Sequence, residues 1–573
     1  MRRIGMFAMR AALACFACVV VLLALTAAIS TARMEVLASE HTYHLPDSPI
    51  ANVAFVAALV AVLCVVARGP RLARLRTWLV SDKGFCVARV VLLALVFASA
   101  CVWLLALRPL PVADQWSVLR VARASLAGDW SDVGRGGYLS AYPFQVGIVL
   151  VLRCFVAVFG DHAELAFQLS NAVALVVSYV SLGDLLQRFG AGRLQQLALL
   201  ASGLVFFPLT QYVAFVYGTL WGLALITLAM RFELDFLRAP RVRYAVLCAI
   251  ALFCSLTFKE NYKICAIAMV LVALLELVLS RKVAIVGLLA AIVVALVAQS
   301  VAPRAYVERA SGMRVAEGVS SWSYLAMGLQ EVYADCGWYS DYNLATYRAA
   351  GDDAQEQARV AKEEFARRAQ ELAAHPQAAL RFFVRKIASQ WNNPTFQGAW
   401  IAQVSDPARP VEGLGARLVG RTATDVSYAY LNLVQFALLV GACAWVVLQR
   451  WGDERARPAL LLAVAFVGGF LCHVFWEAKA QYTLPYFVLL LPLATMGYAR
   501  VVRAVCALRA RPHEWREALR RGVAAHRPAV VCVAVTCVLF AVCCACGAAA
   551  YLTLDAAGYQ WYVASNPVAN LLT

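Results

Sequence analysis

Charge is what this chain has least of. Asp, Glu, Lys and Arg make up 15% of its 573 residues, against 62% hydrophobic residues and a mean hydropathy of +0.70. A soluble domain carries about 25% charged and about 45–50% apolar residues, so a soluble globular fold is excluded. The apolar runs also lack period-two alternation, which argues against a transmembrane β-barrel. No HExxH and no glycine-rich phosphate loop stands in a credible context. No sizeable cytoplasmic domain exists to bind a nucleotide, which argues against a nucleotide-sugar enzyme. No internal repeat stands out, which weakens an inverted-repeat transporter reading. Cysteine is plentiful, at 18 residues, but a disulfide framework is missing. Most cysteines sit inside apolar runs, only Cys336 falls in a long polar loop, and Cys543-Cys544-x-Cys546 has no histidine partners.

What is present is a series of apolar blocks. Residues 11–30, 49–67, 87–107, 163–183, 283–301, 429–448 and 527–552 each run 18 residues or more with almost no charge, the length of a membrane span. Within hydrocarbon every backbone group must be bonded inside its own segment, so these blocks are expected to be helices. Shorter helices are expected over 242–257, 264–280, 458–475 and 481–498. The fold class is therefore an all-α polytopic membrane protein of roughly 13 or 14 spans. Met1 to Ser30 looks like a signal peptide, but its apolar run is long and further spans follow, so it is read as a retained first helix.

The formal charge of +17 follows the rule that Lys and Arg gather in cytoplasmic loops, and needs no nucleic-acid partner. Arg2, Arg3 and Arg10 place the N-terminus inside, and Arg68 to Lys83 form a cytoplasmic loop. Residues 108–141 then lie outside. From the other end, the basic stretch 499–527 is inside, so the tail after helix 527–552 and the long segment 302–428 are outside. The middle does not close. Segment 142–160, which carries Arg153, is one crossing too many, and is either re-entrant or flanked by a loop that defies the charge rule. Four regions follow: 1–86, two helices and a basic loop; 87–301, a membrane core with the first outer loop 108–141; 302–428, an outer region with a charged helical stretch from Asp352 to Ala374; and 429–573, the last helices.

Three outer stretches hold the residues able to do chemistry. Asp114 opens an amphipathic interfacial helix whose Val118, Val121 and Leu126 recur at helical spacing, and its bland role would be to cap that helix. Lys259-Glu260-Asn261-Tyr262-Lys263 is a charged knot between two spans. It suits either snorkelling or an anionic group such as a lipid phosphate. His473 to Tyr482, with Glu477 and Lys479, is either a plain hairpin or a functional corner, because ionisable groups are costly so near a bilayer.

In this order the three stretches resemble the GT-C superfamily of membrane glycosyltransferases. More narrowly, they resemble the branch that includes protein O-mannosyltransferases and the lipid A aminoarabinose transferase, glycosyltransferase family 39-like. The shared pattern is an outer acid (Asp114), Ala122-Arg123, Gly128-Asp129-Trp130, a Pro-aromatic entry at Tyr142-Pro143-Phe144-Gln145, Lys259 after a later span, and Glu477-x-Lys479-x-x-Tyr482-x-x-Pro485. It covers roughly residues 87–301 and 429–500. The chain departs at Gln115, where the family carries a second acid, and at Ala141-Tyr142, where it carries a basic residue.

The resemblance implies a GT-C-like bundle and an inverting transfer of a sugar from a polyprenyl-phosphate donor to a cell-envelope glycan, lipid or protein, at the outer face of the cytoplasmic membrane. Asp114 would be the catalytic base. Lys259, Lys479 and Arg153 would hold the donor phosphate, and Tyr142, Gln145, Glu260, His473, Glu477 and Tyr482 would line the substrate. No metal ligand is assigned and no cofactor is certain; the need for a divalent cation stays open, since some branches use one. The alternatives are a transporter or flippase of lipid-linked sugars and a non-catalytic scaffold.

Overall fold

A computed structural model describes residues 2–34, 42–332, 335–403, 411–510, 513 and 515–552. The tail after Leu552, expected outside, lies beyond the described residues. The main helices are α1 (Arg2–Ile29), α2 (Pro49–Arg68), α3 (Asp82–Leu107), α4 (Asp114–Leu126), α5 (Val146–Phe159), α6 (Ala163–Arg188), α7 (Arg193–Val205), α8 (Thr219–Arg238), α9 (Val242–Phe258), α10 (Lys263–Ser280) and α11 (Ala284–Ser311). Two helices of the long polar segment follow, α12 (Ala354–Ala374) and α13 (Pro376–Trp391). The last are α14 (Arg421–Val447), α15 (Leu460–Phe475), α16 (Leu484–Ala510) and α17 (Arg527–Cys543). A short antiparallel hairpin, β1 (Ser30–Met34) with β2 (Thr42–Pro46), links α1 to α2.

Among the described residues ten helices are long and apolar enough to cross a membrane, or eleven if the bent pair formed by α7 and Pro208–Ala214 is one span. The expected 13 or 14 exceeds this count because two helices fall outside the criterion. Helix α8 carries Arg231, Glu233, Asp235 and Arg238, and α9 has only 17 residues. Both nevertheless pack within the bundle, where Met230 and Cys248 are fully buried.

The unsettled segment is resolved by α5. At 14 residues it is about 21 Å long, short of a 30 Å hydrocarbon layer. Its start lies against the last turn of α9, where a Cβ on Gly147 would stand 2.2 Å from the Thr257 carbonyl. Farther along, Arg153 reaches Tyr306 near the end of α11, and Phe155 meets Phe167 in the first turns of α6 at 5.2 Å. All three neighbours lie at one end of the bundle. Helix α5 therefore stays at that end and does not cross, and the Arg188 and Arg231 clusters fall together at the other. There Arg188 pairs with Asp235 at 2.6 Å, and Asp184 receives Arg89 and Arg231.

The core is aromatic. Phe16 of α1 packs edge-on against Trp445 and Phe466, and Trp391 packs on Phe466 and Phe487. Trp391 closes α13 in the long polar segment, yet it is fully buried among membrane helices. That segment is thus anchored into the bundle. Its α12 is the charged stretch expected from the sequence, capped by Asp353, whose carboxylate accepts from Gln355 and Glu356.

If α5 stays at the site end, an Asp161→Cys variant reacts with a membrane-impermeant maleimide from the same face as Ala127→Cys and from the opposite face to Lys282→Cys. Mass spectrometry of the labelled peptides checks this. Labelling of position 161 from the Lys282 side would make α5 a crossing.

Candidate functional site

Four chain reversals meet at the end of the bundle where α5 lies. They are the start of α4, the stretch Phe215–Gly218 before α8, the corner after α9, and the corner after α15.

Asp114 is the first residue of α4, behind Ala113 in an uncommon left-handed conformation (φ 50°). Positive φ at a residue with a Cβ is held only where the surroundings enforce it. Asp114 does not cap the helix: no side-chain cap bond is made there, and its Oδ1 accepts from the Tyr138 hydroxyl at 3.0 Å. The neighbouring Gln115, in place of a second acid, accepts from the Val216 N–H at 2.8 Å. Non-helical backbone at membrane depth needs such partners. Asn171 and Gln168 serve the same stretch, donating to the carbonyls of Val213, Ala214 and Phe215. The stretch exists because Pro208 breaks the preceding helix with a 56° bend. It delivers Tyr217, whose hydroxyl accepts from Gln145 Nε2.

Lys259 terminates α9 in extended conformation. Its ammonium donates to Thr219 Oγ1 at 3.0 Å and stands 4.8 Å from the centre of the Tyr217 ring. This seat requires Gly218, where a Cβ would be 1.8 Å from the Phe258 carbonyl. Burial pushes the Lys259 pKa down to about 7; the Asp114 carboxylate works against that fall, and the Lys479 cation adds to it. Lys259 thus senses both, and three distant parts of the chain share one electrostatic neighbourhood.

Lys479 stands 3.8 Å from Glu477, which is 2% exposed, and its ammonium lies 4.8 Å from the centre of the Tyr339 ring. Tyrosines surround the acids and cations. Burial, with the Asp114 charge next, raises the Tyr142 hydroxyl to about 12 and the Tyr138 and Tyr217 hydroxyls well above their ordinary value. Tyr324 and Tyr482 are raised by burial and then by Glu477.

The structure therefore brings together Asp114, Tyr142, Gln145, Lys259, Glu477, Lys479 and Tyr482. His473 stands behind them, stacked on Tyr482 at 5.5 Å. Two expected residues face elsewhere. Arg153 is occupied by Tyr306 and the face of Trp130, because α5 carries it about 12 Å along the helix from Gln145. Glu260 accepts from Lys263 at 2.6 Å and from Gln299 at 3.3 Å. Among the described residues no group of three His, Cys, Asp or Glu side chains is placed to hold a metal ion.

A family described as "conserved hypothetical integral membrane protein" matches residues 6–502. The chain belongs to that family. No curated protein matches it. The match runs from α1 into α16 and so includes all four reversals, while α17 lies beyond it.

Several residues of this family member's site were not singled out from its sequence. Tyr217, Thr219, Tyr324 and Tyr339 sit among apolar or unpatterned neighbours, with no spacing signal. Lys386 likewise carries no signal in its neighbouring sequence. It is buried on α13, donates to the carbonyls of Gly328 and Trp476, the latter at 2.8 Å, and thereby holds the corner that carries Glu477. The same corner is gripped by Ala478 N–H on the Gly337 carbonyl at 2.7 Å and by Gln390 on the His473 carbonyl at 3.0 Å. Burial lowers the Lys386 pKa to about 7. Glu233 was hidden inside the basic Arg231–Arg243 run. It lies fully buried on α8, and neither carboxylate oxygen has a hydrogen-bond partner among the described residues.

The coupling at Lys259 makes a signed prediction. Lys479→Met raises the Lys259 pKa and Asp114→Asn lowers it, read from the pH dependence of Lys259 acylation by mass spectrometry. No movement in either variant would separate the three groups. Lys386→Ala leaves the buried Gly328 carbonyl without its donor, at about 1–3 kcal/mol, and the half-buried Trp476 carbonyl at less, and lowers the thermal midpoint of the detergent-purified protein.

Proposed function

We propose that this protein is an inverting glycosyltransferase that takes a sugar from a polyprenyl-phosphate donor and passes it to a cell-envelope acceptor. The reading supposes the cytoplasmic membrane, with the N-terminus inside and the site outside. One observation carries it: the half-buried ammonium of Lys259 feels both the Asp114 carboxylate and a second cation, Lys479, beside its bond to Thr219 and the Tyr217 ring. The motif order that resembles GT-C enzymes supplies the chemistry that such a constellation fits.

In that chemistry an acceptor hydroxyl loses its proton to Asp114 as its oxygen attacks the anomeric carbon. The bond between that carbon and the phosphate oxygen breaks, and the polyprenyl phosphate leaves with the electron pair. Tyr138, bonded to Asp114, orients the base. Lys259 and Lys479 meet the charge that grows on the departing phosphate, in a site where burial strengthens the attraction. The arriving phosphate also favours the protonated form of Lys259, whose pKa burial brings down to about 7. The tyrosines offer flat apolar faces with hydroxyl edges, a surface that matches the mixed polarity of a sugar ring.

Asp114→Asn is expected to lower transfer about 10²–10⁴-fold while donor binding is kept, measured with a radiolabelled polyprenyl-phosphate sugar in proteoliposomes. Unchanged transfer would overturn the reading. Binding of the donor should weaken as pH rises through 7, because Lys259 loses its proton there, and Lys259→Arg should flatten that profile. A pH-independent affinity in the unmodified protein would remove Lys259 from the phosphate site.

Glu233 favours a second reading, a transporter of lipid-linked sugars, since an ionisable group buried in a membrane helix marks a proton or substrate path in such proteins. Glu233→Gln tests it. Loss of lipid translocation in proteoliposomes, with Asp114→Asn without effect, would select the transporter.

A further inference from the structure

A second feature lies at the opposite end of the bundle. A cavity of about 1900 Å³ opens between α2, α3 and α7 on one side and α14 and α16 on the other, larger than the roughly 300–1,000 Å³ of a drug-sized pocket. Its walls are hydrocarbon, and Val66, Val87, Val91 and Val205 among them are exposed. Lipid chains can therefore reach it from the side.

Its rim is cationic. Arg188, Arg193, Arg238, Arg450, Arg500 and Arg503 all border it. Two of these are neutralised, Arg188 by Asp235 and Arg193 by Asp82. The others make no ion pair among the described residues. Arg500 is half-buried and donates only to neutral acceptors, the Trp445 carbonyl at 2.7 Å and Gln449 Oε1 at 3.0 Å. Arg503 donates to the Ala499 carbonyl, and Arg238 and Arg450 are exposed. An apolar chamber bordered by four arginines that form no ion pair among the described residues, with Asp453 also on its lining and felt by Arg500, keeps an excess of positive charge and complements one kind of membrane molecule, acyl chains joined to an anionic head. Basic pockets between membrane helices bind such headgroups, with each Arg contributing to the attraction.

We propose that this cavity is a binding site for an anionic diacyl phospholipid, whose chains lie along α2, α3 and α7 and whose phosphate meets Arg238, Arg450, Arg500 and Arg503. It sits at the end of the bundle away from Asp114, on the opposite leaflet. It does not depend on the sugar-transfer reading, because its readout is lipid binding and not turnover.

The test uses the full-length protein in neutral detergent. Phosphatidylglycerol and phosphatidylcholine with identical chains are titrated separately and followed by native mass spectrometry and thermal unfolding, with inorganic phosphate as a third arm. Phosphatidylglycerol is expected to bind at one site and raise the unfolding midpoint by several degrees; neither phosphatidylcholine nor phosphate should do so. The triple variant Arg238→Gln, Arg450→Gln, Arg503→Gln changes exposed side chains and should weaken binding about a hundredfold. Ala198→Trp, which fills the apolar arm and leaves the arginines in place, should abolish it. Equal binding of phosphatidylcholine, equal stabilisation by phosphate alone, or unchanged phosphatidylglycerol binding in either variant would overturn the proposal.

Discussion

The ammonium of Lys259 has to be accommodated at the end of a membrane helix, and much of the surrounding architecture answers that need. An isolated charge in such a place is expensive. Here it is met by the Thr219 hydroxyl, the Tyr217 ring and the field of Asp114. The first two come from the stretch that leads into α8 and the third from the start of α4, so seating one cation requires α4, that stretch and the end of α9 to be in register. Gly218 makes the closest of these approaches sterically feasible.

The long polar segment 302–428 completes this arrangement. Trp391 is sunk into the bundle, and Lys386, Gln390 and the Gly337 carbonyl hold the corner from His473 to Ala478. Glu477 and Lys479 are thereby supported from outside the membrane as well as by α15 and α16. A loop tethered only at its ends could not fix two ionisable side chains to within hydrogen-bonding tolerances. The segment is therefore a structural part of the site.

The two ends of the bundle treat charge differently. At the site end, acids and cations are interleaved with tyrosines, with Glu477 buried, Lys259 and Lys479 half-buried and Asp114 exposed. At the other end, arginines are either paired in small clusters around Asp184 and Asp235 or left facing an apolar cavity. The first arrangement suits chemistry on one anionic group; the second suits contact with a lipid layer.

The sequence alone determined the class of fold and which stretches carry the ionisable residues of the candidate site. Runs of apolar residues longer than a bilayer is thick can only be helices, and ionisable residues at their ends stand out because they are costly. Asp114, Lys259, Glu477 and Lys479 were legible for that reason. Tertiary structure alone decided the rest. That α5 does not cross follows from its contacts with Thr257, Tyr306 and Phe167, since hydropathy responds to composition and not to depth. Arg153 was drawn away by Tyr306, a partner no local pattern reveals, and Glu260 by its neighbour Lys263 together with the distant Gln299. Tyr217, Tyr339 and Lys386 gained their importance by meeting residues about 40 to 140 positions away along the chain, and such meetings are set by packing, which has no signature in the neighbouring sequence.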